Sequence, residues 1–308
     1  MLKLKKLEYL LLAVLMALLL LGIFGPFVAQ PTHQHDFADQ RAWGAIPFAL
    51  DVVSNLPFAL WGAFGLGCAL PLAWSKKGSP GQSQTMIEPA LAALFFAGLL
   101  ATTAASSWYH WLPNNSGLAV DRLGMTIAFS GLLGLSAAGR ISLRAGVGLA
   151  GAVLVSGLLS VQVWVATGNI LPWALVQFGG MAMVVWFAAL KPLPGALPVR
   201  WGVVIIIYAL AKLLEMGDHQ IYDVTSHLVS GHSLKHVVAS FAAWPVLAGL
   251  GVRAKAGPGT AATRQKFHKT SAECPSPLQG AAFKLVAGKL RAPQRSGVFK
   301  TKKNRSQA

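Results

Sequence analysis

The chain has 308 residues, a mean hydropathy of +0.55 and only 12% charged residues, which excludes an ordinary soluble domain of this length. Its formal charge of +16 resembles a nucleic-acid signature until it is located: 13 Lys/Arg and a single acid, Glu273, lie between Arg253 and Ala308, so that segment carries 12 of the 16 net charges. The two cysteines, Cys68 in an apolar run and Cys274 in the basic segment, are not expected to meet, and no disulfide framework is expected.

A helical membrane span needs about 20 apolar residues. The first such run, Tyr9–Thr32, follows Lys3, Lys5 and Lys6. It is long for a signal peptide and FVAQ is a poor cleavage site, so residues 1–32 read as an uncleaved anchor span. An acidic loop then leads to Val52–Ser75, where Asn55 is expected to hydrogen-bond between helices and Pro57 to kink the span. Pro89–Tyr109 and Leu123–Gly139 follow, and Ala145–Leu190 is long enough for two spans, broken near Gly168, Asn169 and Pro172. Trp201–Met216, interrupted by Lys212 and Glu215, and Val237–Val252 complete eight. These two runs and Leu123–Gly139 reach spanning length only if polar residues at one end enter the helix. Gly131 with Gly134, and Gly148 with Gly151, predict close helix packing. The fold class is therefore all-α: a polytopic membrane helix bundle with a seven-span core (33–252), one N-terminal anchor, and a basic disordered tail (253–308). Beside a final span, such a tail reads as a topology determinant or a binder of anionic lipid headgroups, with no nucleic acid as partner.

Positive charge near span ends marks the cytoplasmic side. With the amino terminus inside, alternation places Lys76 and Lys77, Arg140 and Arg144, Lys191 and Arg200, and the tail inside as well. Both termini are then cytoplasmic, and Asp36, Asp39, Asp51, Asp121, Glu215, Asp218 and Asp223 fall at the outer face. Trp74, Trp108, Trp111, Trp164, Trp173 and Trp201 lie near run ends, as interfacial tryptophans do.

Ser106 and His110 are four apart at the outer end of the third span, so they share a helix face. Asp121 lies about one turn inside the fourth span, and SGHSLKH opens the last with His232 and His236, again four apart. Polar groups at this depth are costly, about 2.5–3.5 kcal/mol for an aspartate at a span centre. Three imidazoles on two helices suit a catalytic zinc with one position open for water, while a carboxylate moves protons and a hydroxyl bonds a substrate oxygen. Each residue also has a plainer reading. The histidines can be packing residues, Ser106 can bond the Thr102 carbonyl, and Asp121 with Arg122 can form an interfacial ion pair.

At these residues the sequence resembles the alkaline ceramidase family, in the superfamily of seven-span hydrolases and receptors that includes progestin/adipoQ receptors. The shared pattern is S-x3-H (Ser106, His110), an aspartate downstream (Asp121) and a late H-x3-H (His232, His236), running within about Asp36–Val252. SGHSLKH and DVVSNLPF look like bacterial members. The resemblance implies zinc on His110, His232 and His236, proton transfer or water orientation by Asp121, and an oxyanion contact from Ser106. It also implies a hydrolase that splits the N-acyl bond of a ceramide-like membrane lipid, in a bacterial inner membrane, with its site opening outward. Alkaline ceramidases carry calcium in the loop before the first core span. Here Asp36 and Asp39, helped by Asp51, are the candidate Ca2+ ligands, although Arg41 stands where a neutral or acidic ligand is expected and calcium needs about 6–8 oxygens. His33 and His35 in the same loop are an alternative transition-metal pair. Glu215, Asp218, His219, Asp223 and His227 crowd the last outer loop as candidates for orienting the histidines.

Two other functions compete. A lipid-sensing receptor would hold the same metal without useful turnover, and a transporter would use Asp121 and the histidines as a relay. Transport requires polar groups at several depths, and the inner halves of these spans carry almost none. The motif does not separate receptor from hydrolase, and the oligomeric state is open.

Overall fold

The structure, a computed structural model, describes residues 4–74 and 86–256. Lys76 and Lys77, the basic tail beyond α12 and the placement of Cys274 lie outside the described residues. Among the described residues the regular elements are all helices, with no β-strand. Its helices are α1 (Lys6–Phe24), α2 (Ala49–Val53), α3 (Leu56–Ala73), α4 (Ile87–Trp111), α5 (Asn115–Arg140), α6 (Leu143–Thr167), α7 (Leu171–Ala174), α8 (Gly180–Ala189), α9 (Trp201–Met216), α10 (Asp218–Val224), α11 (Gly231–Ser240) and α12 (Ala243–Ala256). Short π-helical segment Leu175–Gly179 joins α7 to α8.

Seven of the resulting spans are long and apolar enough to cross a membrane, with α2–α3, α7–α8 and α11–α12 each acting as one. The 16-residue α9 is the eighth and the shortest. This is the polytopic bundle expected. The first span ends at Phe24 rather than Thr32, because Gly25 and Pro26 follow: the ring removes a backbone donor and disfavours helix in the residue before it. The break within 145–190 falls where expected, with Gly168 ending α6 in a left-handed conformation (φ 76°) and Pro172 in the first turn of α7.

Helices α3, α4, α5 and α6 pack in sequence order, and α9, α11 and α12 close back on α2 and α3. The tightest seam is α4 against α5. A Cβ on Gly98 would lie 2.2 Å from the Ala128 nitrogen, and one on Gly131 would lie 2.2 Å from the Phe95 nitrogen, so the two backbones are in direct contact. Gly134 makes the same kind of approach to α6, against the Gly146 carbonyl. Gly148 and Gly151 do not: nothing lies within 4 Å of the space a Cβ would take, and Gly146, on the inner face, does what they were expected to do. The α4–α5 contact matters for function, because it sets the end of α4, with Ser106 and His110, beside the first turns of α5, with Asp121.

Lys5, Arg144 and Arg253 gather at the other end of the bundle, around a cavity of about 1180 Å³. Buried Glu8 of α1 accepts from Arg144 (2.6 Å) and from Ser142 (2.5 Å), tying the first helix to α6, while Arg253 pairs with Glu88 at 3.1 Å. The tryptophans divide. Trp74, Trp108 and Trp111 are exposed, as interfacial residues should be, but Trp164, Trp173 and Trp201 are buried inside the bundle.

Candidate metal centre

His110, at the end of α4, meets His232 and His236 of α11. Their donor atoms all lie within 4.8 Å of one another, and among the described residues they are the group that converges as metal ligands do. All three are buried. The Nε2 atoms of His110 and His232 are 3.3 Å apart. Two imidazole nitrogens bound tetrahedrally to zinc at about 2.0–2.1 Å would be separated by about 3.3–3.4 Å, so the pair has the bite that zinc requires. The ring centroids, 4.8 to 5.0 Å apart, place the third imidazole at the same centre. The residues present fit the metal.

The chain break between α2 and α3 orients His236. Pro57 leaves the Val53 carbonyl without its helical donor, and the Asn55 N–H bonds the Val52 carbonyl (3.3 Å) instead of that of Asp51. The Asp51 carbonyl, released from the helix, accepts from the Ser54 hydroxyl (3.0 Å) and from the Asn55 amide (2.9 Å). Ser54 Oγ, having given its proton to that carbonyl, is left to accept from His236 Nδ1 at 2.8 Å. The proton is thereby placed on Nδ1 and the lone pair on Nε2, the tautomer a metal ligand needs. Asn55 bonds within its own span rather than between helices as expected.

Helix α11 is held at its start by two anchors. Asp218 Oδ1 accepts the His232 backbone N–H (2.7 Å) while its other oxygen accepts that of Ala38 (3.0 Å). Ser230 caps the helix by accepting from Ser233 N (3.0 Å), and the Ser233 hydroxyl donates to the Asp51 carboxylate (2.6 Å). Of the acidic and histidine residues expected to orient the ligands, Asp218 does so. Glu215 instead pairs with Lys212 and Lys235, His219 lies 3.3 Å from the Asp36 carbonyl, and Asp223 with His227 forms an exposed pair.

Asp121 and Ser106 adjoin the histidines on the wall of one cavity of about 860 Å³. Ser106 stands beside the Asp121 carboxyl, near enough to act on its charge, and Asp121 Oδ1 is buried without a hydrogen-bond partner. Among the described residues Ser106 has no bond to the Thr102 carbonyl, and no ion pair joins Asp121 to Arg122. The plainer readings of both residues fail.

The candidate calcium ligands do not form a cluster. Asp39 is clamped by Arg41 at 2.8 and 2.7 Å, Asp51 is bonded by Ser233, and Asp36 sits at the surface 3.8 Å from His219. Burial pushes the Asp39 carboxyl up, but the Arg41 hydrogen bonds and charge outweigh it and hold it below the usual carboxylate range. Arg41 thus fills the place of a cation for Asp39. His35 is engaged at both nitrogens, with Tyr109 (2.8 Å) and Asn115 (2.9 Å), so it braces the loop rather than binding a metal.

No family model, curated protein or solved structure matches the chain.

Proposed function

We propose that this protein is a membrane-embedded, zinc-dependent amidase that cleaves the N-acyl bond of a ceramide-like lipid, releasing a fatty acid and an amine. The observation that carries this reading is the convergence of three buried histidines, Asp121 and Ser106 on one cavity wall. The resemblance to alkaline ceramidases supports the choice of bond. Zinc on the three histidines would supply a Lewis acid and a water that ionises near neutral pH.

The remaining work falls to the chain. Asp121 takes the proton released as water adds to the amide carbonyl carbon. It returns that proton to the nitrogen as the C–N bond breaks, so the oxygen of water ends in the fatty acid and the nitrogen leaves as an amine. Ser106, beside Asp121 on the cavity wall, is positioned to donate to the oxygen that gains charge. The test is to incubate zinc-loaded protein with ceramides and other N-acyl lipids and measure released fatty acid. No release from any of them would overturn the amidase reading in favour of a lipid sensor.

The same arrangement supports a site opening on the outer side of a bacterial inner membrane. Lys5, Arg144 and Arg253 share one end of the bundle, whereas Asp36, Glu215 and Asp218 line the cavity at the other. Single cysteines placed at Asp36, Pro113 and Asp223, with Cys68 and Cys274 replaced, should react with an impermeant reagent added to intact cells. Reaction only after lysis would reverse the orientation.

A further inference from the structure

The cavity holds a second feature that amide hydrolysis itself does not use. Arg122, the residue after Asp121, is buried at 3% exposure and lines the same cavity. Its guanidinium carbon lies 4.1 Å from the Trp164 ring centroid and 5.6 Å from that of Trp173. Nη2 donates to Gln30 Oε1 at 2.8 Å, and Nη1 has no partner at all. A guanidinium keeps its charge in proteins, and burying one is costly unless an anion answers it. Gln30 and the two indoles are neutral. Asp121, next in the chain, attracts it through space but makes neither an ion pair nor a hydrogen bond with it among the described residues, so Nη1 stays unpaired. The side chain is therefore fixed on one side by stacking and a hydrogen bond, and carries unused N–H donors on the other, inside the cavity that contains the histidines.

Building on the amidase reading, we propose that Arg122 recognises a carboxylate on the headgroup of the lipid substrate. The preferred substrate is then an N-acyl amino acid or a lipid built on one, rather than a neutral ceramide. Position selects this class. Arg122 lines the cavity that Asp121 and the histidines line, so one bound lipid presents its amide to the histidines and an anion to Nη1, and in an N-acyl amino acid the carboxyl carbon is two bonds from the amide nitrogen. Trp164 and Trp173 hold the planar guanidinium in place, which favours a fixed oxyanion over a hydroxyl free to rotate.

The experiment compares N-oleoylglycine with N-oleoylethanolamine, which differs chiefly in having a hydroxyl in place of the carboxylate. The proteins are the wild type, Arg122→Gln and Arg122→Lys, all zinc-loaded. Binding is measured by calorimetry in detergent, alongside turnover. Wild type should bind the glycine lipid more tightly, and Arg122→Gln should weaken that lipid by on the order of 10–100-fold while changing the ethanolamide by less than about threefold. In turnover the loss should fall on KM more than on kcat, and Arg122→Lys should recover part of the preference. Equal binding of the two lipids by wild type, or equal loss of both in Arg122→Gln, would overturn the proposal. Should Arg122→Gln not fold, the wild-type comparison and Arg122→Lys decide it. A binding preference without hydrolysis would remove the amidase reading and leave the carboxylate site standing.

Discussion

The purified wild-type protein is expected to hold about one zinc per chain, and His110→Ala, His232→Ala and His236→Ala are each expected to release it. Each imidazole is one of three ligands on two helices, and a site reduced to two protein ligands holds the ion poorly. The loss should be nearly complete in each case, with hydrolysis abolished in parallel. Ser54→Ala gives a graded control, because it leaves every ligand in place and removes the acceptor that sets the His236 tautomer. Loss of such an outer partner should weaken zinc about 10–100-fold. Elemental analysis after dialysis against a graded chelator separates the two behaviours. Full metal content in all three histidine variants would remove the centre, and a Ser54→Ala protein as sensitive as His236→Ala would show that Ser54 supports the fold rather than the tautomer.

The spans were legible because hydrophobicity over about 20 residues is a strong signal in a chain this apolar. Pro26, Gly168 and Pro172 act locally, so the ends they cause could be read locally too, although Gly25 and Pro26 were passed over and the first span was drawn too long. The site residues were legible in pairs, since spacing by four fixes a shared face. Nothing in periodicity joins His110 to His232 across 122 residues; that step comes from the alternation of the spans, which puts both at a similar depth on the same side, and the resemblance agrees with it.

What stayed hidden depends on partners that only the folded chain supplies. Ser54 gains its role at the break between α2 and α3, where the Asn55 N–H turns to the Val52 carbonyl and leaves that of Asp51 free to accept from the Ser54 hydroxyl. The polar pair Ser54 and Asn55, just ahead of Leu56 and Pro57, was the available signal. Trp164 and Trp173 were read as interfacial from their places near run ends. They turn inward because Arg122, a charge buried in the bundle, is covered by their rings. Gly148 and Gly151 were read as packing residues by composition, but a helix face is set by its neighbours, and theirs looks outward.

Asp121→Asn is expected to keep the zinc and the fold and lose most of the turnover. The substitution preserves shape and keeps a carbonyl oxygen facing Ser106, so the local packing of α4 against α5 has no reason to change. What it removes is the ability to take a proton. Losing general acid–base help costs about 10²–10⁴-fold in rate, and the loss should appear in kcat with little change in lipid affinity, because the proton moves only as the amide reacts. Ser106→Ala should cost up to about 10²–10³-fold, the range found when one donor to a developing oxyanion is deleted. If Ser106 acts only by holding Asp121, the double variant should lose little more than Asp121→Asn alone; if it bonds the substrate oxygen, the two losses should combine. A receptor would behave differently: Asp121→Asn would alter ligand affinity or leave it unchanged, and no turnover would be there to lose. Measuring released fatty acid, bound lipid and bound zinc on the same preparations tests these outcomes together. An Asp121→Asn protein that hydrolyses at the wild-type rate would take Asp121 out of the chemistry, whatever the metal content.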